Sequence, residues 1–314
     1  MRPGEGRSQA DRRVRNPGLT LARAQMGVKS MSLTHMDGPT DGGPAAGGQA
    51  LATGPAAAEP LLRLKGVSKH FGAVQALFEV DLDLPAGQVT ALCGDNGAGK
   101  SVLTKCIAGI HQPDAGQMFW QGQPIHIRSP KDSAALGIET VYQDLALADN
   151  LDIVQNMFLG RERQRRFILD EDSMERAAAE TLASLHVTTV RSIRQPVATL
   201  SGGQRQAVAV AKAVMWNSKL VLLDEPTAAL GVAQTKMVLD LVRRLKSHGL
   251  AVMVISHNLN DIFEVADRIA IMHLGRMVAQ DRASAFDRQS AVDYMTTGGS
   301  SREVAASAST TRRD

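Results

Sequence analysis

Cysteine is scarce in this chain. Cys93 and Cys106 are its only two, with no Cys or His cluster at metal-ligand spacing around them, so neither a disulfide framework nor a zinc site is indicated and the chain reads as cytosolic. No apolar run approaches the roughly 18 to 20 residues of a membrane span, and the start lacks the apolar stretch of about 7 to 15 residues that marks a secretory signal. Any membrane role must therefore come through a partner. A dominant charge is missing as well: 35 Lys and Arg face 32 Asp and Glu. Seven of the basic and five of the acidic groups fall in residues 1–59, which leaves 28 against 27 downstream. That near balance offers no basic stripe for a phosphate backbone, and no nucleic-acid partner is expected.

What is present, 44% apolar and 21% charged residues, suits a globular chain with a buried core. Residues 38–58 are almost wholly Gly, Ala, Pro and small polar types, too small to offset the entropy of ordering them. Residues 1–59 are expected to be a disordered leader, with Met26, Met31 and Met36 as alternative starts, and 299–314 a flexible tail. Residues 60–298 between them form one domain. Period-two alternation over 61–65 and 76–84 predicts half-buried antiparallel strands. The continuous apolar runs 89–94, 220–223 and 250–255 predict strands buried on both faces, and helix-compatible stretches such as 232–246 separate them. The fold class is therefore α/β with a largely parallel sheet and an antiparallel β subdomain. Residues 150–215 hold no comparable strand and are rich in Ala, Glu, Arg and Leu, which predicts an inserted helical subdomain.

The first chemical signal follows the 89–94 strand directly and precedes a helical pattern: Gly94, Asp95, Asn96, Gly97, Ala98, Gly99, Lys100, Ser101. That strand, loop, helix context is what the G-x4-G-K-[ST] phosphate loop demands. Its glycines let backbone N–H groups converge on phosphate oxygens, the helix N-terminus adds its positive end, Lys100 reaches the terminal phosphates, and Ser101 supplies a hydroxyl for Mg²⁺. Further on, the apolar run 220–223 ends in Asp224 and Glu225. At the carboxyl end of an α/β strand, Asp224 can coordinate Mg²⁺ and Glu225 can activate water. A third string, Leu200-Ser201-Gly202-Gly203-Gln204, precedes another helical run. There Ser201 caps a glycine-rich helix start and creates a second anion site.

The string 200–204 resembles the signature motif of the ATP-binding cassette (ABC) family, and the other family motifs stand in the right order. Phe71, in HFG, matches the aromatic that stacks on adenine. Gln143, in VYQD, matches the glutamine that senses Mg²⁺ and the transporter partner, and His257, in VISHN, matches the switch histidine at the γ-phosphate. The resemblance covers roughly residues 60–290. It implies a P-loop NTPase fold with ATP and Mg²⁺ as ligands, the metal held by Ser101, Gln143 and Asp224. Glu225, His257 and Gln143 would form the catalytic set. It also implies a head-to-tail homodimer in which Ser201, Gly202, Gly203 and Gln204 of one copy face the ATP held by Lys100 of the other.

Two departures matter. Where many cassettes have Thr after the loop serine, Val102 can offer phosphate only its backbone N–H, which implies a modest loss of affinity. Where the family commonly closes the loop after Glu225 with an acid, this chain reads Ala228-Ala229-Leu230-Gly231, so trans contacts from that loop are in doubt.

Residues 141–162 and 224–232 resemble sugar-importer ATPases of the ribose, xylose and fructose type. Ribose and xylose members typically fuse two cassettes, whereas this chain has one, as in the fructose arrangement. The resemblance implies the ATP-hydrolysing subunit of a monosaccharide importer, peripheral on the cytoplasmic face of the cell membrane. Its partners would be permease subunits, one of whose coupling helices is expected to dock after Gln143, and indirectly an extracytoplasmic sugar-binding protein. The alternatives are an exporter ATPase, or a soluble cassette ATPase on nucleic acid or ribosomes. The latter is disfavoured because no sustained heptads lie between Lys100 and Ser201.

Overall fold

A computed structural model describes residues 59–299; residues 1–58 of the expected leader 1–59 and nearly all of the expected tail 299–314 lie outside the described residues. β1 (Leu62–Phe71) and β2 (Val74–Leu84) pair antiparallel. The alternation changes parity partway along each strand. Leu62, Leu64 and then Val67 point inward on β1, and Leu77 and then Val80, Leu82 and Leu84 on β2. Register shifts between Leu64 and Val67 and between Val67 and Lys69, with Glu79 at φ 45°, allow this, because a bulge re-aims the side chains beyond it. β3 (Val89–Gly94) is buried at every position and runs into the phosphate loop and α1 (Lys100–Ile107).

β4 (Ala115–Trp120) and β5 (Gln123–Ile125) complete a four-stranded antiparallel sheet in the order β2-β1-β4-β5. After α2 (Pro130–Leu136), β6 (Ile138–Val141) enters the second sheet. Next come α3 (Ile153–Phe158), a small hairpin of β7 (Gln164–Arg165) and β8 (Ile168–Leu169), α4 (Glu171–Ser184) and α5 (Gly202–Val214). These elements occupy the predicted helical stretch, and the hairpin is an addition to it. β9 (Leu220–Asp224), α6 (Val232–Ser247), β10 (Ala251–Ile255), α7 (Leu259–Val265), β11 (Arg268–His273), β12 (Arg276–Arg282) and α8 (Arg288–Thr297) follow.

The second sheet has the order β12-β11-β3-β10-β9-β6, parallel throughout except for the edge strand β12. Alternate residues of β9 serve opposite faces. Leu220 and Leu222 pack with Leu103 and Ile107 of α1 and with the antiparallel sheet. Val221 and Leu223 pack with α3 to α6 through Phe158, Val208, Leu239 and Val242. Parallel strands covered on both sides need this continuous apolar run.

Within the helical layer, the Arg194 guanidinium gathers Asp152 at 3.3 Å, Glu171 at 3.2 Å and Glu175 at 2.8 Å, which ties the loop before α5 to the starts of α3 and α4. The fully buried Asn156 accepts from Ala148 N at 2.7 Å and donates to Ala148 O at 3.0 Å, fixing the segment that leads from Gln143 into α3. Both cysteines are free and buried, and burial pushes Cys93 up to about 12 and Cys106 to about 11, so both are neutral thiols. Among the described residues no helix is long and apolar enough to cross a membrane.

Candidate functional site

The phosphate loop emerges from β3, which is flanked on both sides by parallel strands, at the carboxyl edge where α/β sheets place ligands. Gly99 occupies the cap position of α1 and supplies no side-chain cap, so the first N–H groups of that helix are left for a ligand. The Lys100 ammonium is buried and donates to Gly94 O at 2.8 Å and Asp95 O at 3.0 Å. Above the loop lies a cavity of about 450 Å³, lined by Asn96 to Val102 together with Val74, Gln75, Ala76, Leu274 and Gly275.

Sequence reasoning missed the last five. Gly275 accepts from Phe78 N at 2.8 Å and donates to Ala98 O at 3.1 Å, so the β11–β12 turn splices the phosphate loop to β2. No motif marks that turn; a Leu-Gly pair between two strands signals only a bend. Phe71 is not part of the cavity lining. It is paired with Val74 across the β1–β2 hairpin, 43% exposed, with His111 set edge-on at 5.1 Å.

Asp224 ends β9 and Glu225 follows at φ 49°, its N–H donating to Ile255 O at 2.9 Å. Burial and the neighbouring Glu225 charge raise the Asp224 carboxyl above the ordinary carboxylate range, while Lys100 and Lys105 pull the other way. Lys100 is thus within electrostatic reach of Asp224. His257, just beyond β10, brings Nδ1 to 2.8 Å from Glu225 Oε1. The structure therefore brings Asp224, Glu225 and His257 together beside the loop, on strands that are sheet neighbours by sequence-distant pairing. Gln143 is exposed just past β6, beyond β9 in the same sheet.

Ser201 caps α5 with its hydroxyl at 3.4 Å from Gln204 N, while Gln204 Oε1 accepts from Ser201 N at 2.9 Å and Gln204 Nε2 donates to Thr189 O at 2.6 Å. Gly203 is closed in by Met237 and Gln234 of α6. None of Ser201, Gly202, Gly203 or Gln204 lines the phosphate-loop cavity.

The oxygens of Ser101, Gln143 and Asp224 are hard donors of the kind that suit magnesium rather than a soft metal. No group of three or more His, Cys, Asp or Glu among the described residues could hold a metal unaided. A cation here must complete its shell with phosphate oxygens and water, and to that extent the donor set fits.

A glycine-rich phosphate loop on a parallel sheet, beside an acid and a histidine in contact, defines a P-loop nucleoside triphosphatase. Residues 77–228 match the ABC transporter family. The chain is 47% identical over 247 residues to the fructose import ATP-binding protein FrcA of Rhizobium meliloti, covering 76% of this chain and 95% of that protein. It is 44% identical over 236 residues to the xylose/arabinose import ATP-binding protein XylG of Sulfolobus acidocaldarius, covering 75% and 94%. That xylose relative is itself of single-cassette length, so fused cassettes do not separate xylose from fructose types as expected above. Among solved structures, the ATP-binding cassette MJ1267 of an ABC transporter superposes with a TM-score of 0.68 at 25% identity, covering 76% of this chain and 98% of that one. The chain belongs to the ABC transporter family, as an ATP-hydrolysing cassette.

Proposed function

We propose that this chain powers a membrane importer for a monosaccharide. It would work as a homodimer on the cytoplasmic face of the cell membrane, beneath permease subunits that receive sugar from an extracytoplasmic binding protein. The fructose and xylose or arabinose relatives support the sugar class. The catalytic reading is carried by the 2.8 Å approach of His257 to Glu225, next to the strand that ends in the phosphate loop.

In this reading the backbone N–H groups of residues 94–102 and the Lys100 ammonium bind the phosphates, and Phe71 stacks on the base. Lys100 exchanges its bonds to Gly94 O and Asp95 O for phosphate oxygens. Glu225 accepts a proton from the water that attacks the γ-phosphorus in line, and His257 orients that carboxylate and contacts the γ-phosphate. Ser101, Gln143 and Asp224 would hold Mg²⁺, which when bound neutralises charge developing on the phosphate oxygens. Gln143 lies where occupancy of the site can be passed to the permease.

The Ser201 half-site does not open onto its own chain's cavity, which supports its use in trans: the N-terminus of α5 from a second copy closes over the γ-phosphate. Glu225→Gln in the full chain is expected to lower ATP turnover about 10²- to 10⁴-fold while ATP binding is retained and an ATP-bound dimer accumulates in size-exclusion chromatography. Turnover equal to the parent overturns the reading.

A further inference from the structure

The turn from Glu225 to Gly231 contains two residues with side chains in the left-handed region, Glu225 at φ 49° and Ala229 at φ 58°. Such backbone persists only where its surroundings over-determine it. Two of the turn's bonds are internal, Ala228 N to Glu225 O at 3.1 Å and Leu230 N to Thr227 O at 3.3 Å, and cannot anchor it to the body. Its far end, Gly231, is exposed, has no side chain, and has nothing within 4 Å of where one would begin.

Pro226 of the turn is buried and Leu230 packs beside Gly202, and two polar side chains bond to the rest of the molecule. Glu225 reaches His257, whose ring is largely exposed. Thr227 reaches inward, its hydroxyl donating to Asp261 Oδ2 at 2.7 Å. Asp261 is only 8% exposed and sits in the first turn of α7, where the helix favours an anion, four residues beyond His257.

We infer that Asp261 is a positioning residue for hydrolysis. Through Thr227 it clamps the strained turn that presents Glu225 onto the segment just beyond His257. This rests on Glu225 acting as the base. Neither Thr227 nor Asp261 lines the phosphate-loop cavity, so the clamp governs turnover and leaves nucleotide affinity alone.

The test is steady-state ATPase and direct ATP binding on the purified full chain. Asp261→Ala and Thr227→Val should each lower kcat roughly 10- to 100-fold, the scale of a misplacement of about 1 Å, with KM and Kd for ATP moved less than about threefold. The double variant should be no slower than the slower single one, because both remove the same bond. Asp261→Asn and Thr227→Ser, which keep the acceptor and the hydroxyl, should restore most of the turnover. Parent kcat in Thr227→Val, or losses that multiply in the double variant, overturns the inference. If Asp261→Ala does not fold, the Thr227→Val and Thr227→Ser pair decides alone, since exchanging a hydroxyl for a methyl preserves shape. Glu225→Gln assayed alongside separates the two levels. A dead Glu225→Gln with parent-like Thr227→Val refutes the clamp only, and an active Glu225→Gln refutes the base on which it rests.

Discussion

Two glycines of the phosphate loop give a matched pair of perturbations. Gly94 has φ 152° and is the parallel partner of Met272 on β11. A methyl group there would stand 2.4 Å from Met272 O and 3.0 Å from the Ala98 methyl. Relief requires β3 and β11 to part by about 1 Å, and forcing atoms into a packed interior costs about 1–3 kcal/mol. Strained backbone adds about 1–3 kcal/mol. For a domain of this size each kcal/mol is worth about 2–4 °C, so Gly94→Ala should lower Tm by about 4 to 24 °C. Gly97 has φ 82° but open space on every side. Gly97→Ala therefore carries only the left-handed penalty, about 1–2 kcal/mol, which amounts to about 2 to 8 °C. Nucleotide-free melts of both variants by far-UV circular dichroism measure the difference. If Gly97→Ala melts below Gly94→Ala, or Gly94→Ala melts with the parent, close approach of Met272 is not what reserves position 94 for glycine.

Asp224 sets up a conflict between stability and function. Its carboxyl is raised by burial and by Glu225, so the folded chain holds this proton more tightly than the unfolded one. The linked stability is present below the unfolded pKa and is lost as pH rises through the folded value. Asp224→Asn should thus melt higher than the parent at neutral pH, with the gap closing as pH falls through the carboxylate range, while Mg²⁺-dependent hydrolysis is lost at every pH; a lower Tm at neutral pH would falsify the assignment of cause. Phe71→Ala should raise KM for ATP roughly tenfold, in line with stacking energies, with Tm little changed because the ring is half exposed. An unchanged KM would leave Phe71 as packing for His111.

The fold was most legible where one strand had to satisfy two layers. Residues 89–93 and 220–223 are buried at consecutive positions, apolar except for Thr90, because both faces are covered, and no other environment asks for that together with a glycine or acid at the end. β11 escaped because its apolar run, Ile269 to Met272, is followed by no glycine-rich or acidic motif of the kind that frames 89–94 and 220–223. β12 escaped because an edge strand with half-exposed residues keeps no clean alternation. Within the site, positions reached through backbone conformation were readable and those reached through folding were not. The glycines of 94–99 announce a loop, whereas Asp261 meets Thr227 across 34 residues only because β10 lies beside β9.

The ammonium of Lys100 is held by two main-chain carbonyls of its own loop, Gly94 O at 2.8 Å and Asp95 O at 3.0 Å. Its charge is steered by the course of the backbone and not by neighbouring side chains, so exchanges of side chains around the loop leave it aimed, and only a change in the path of the loop itself can turn it aside.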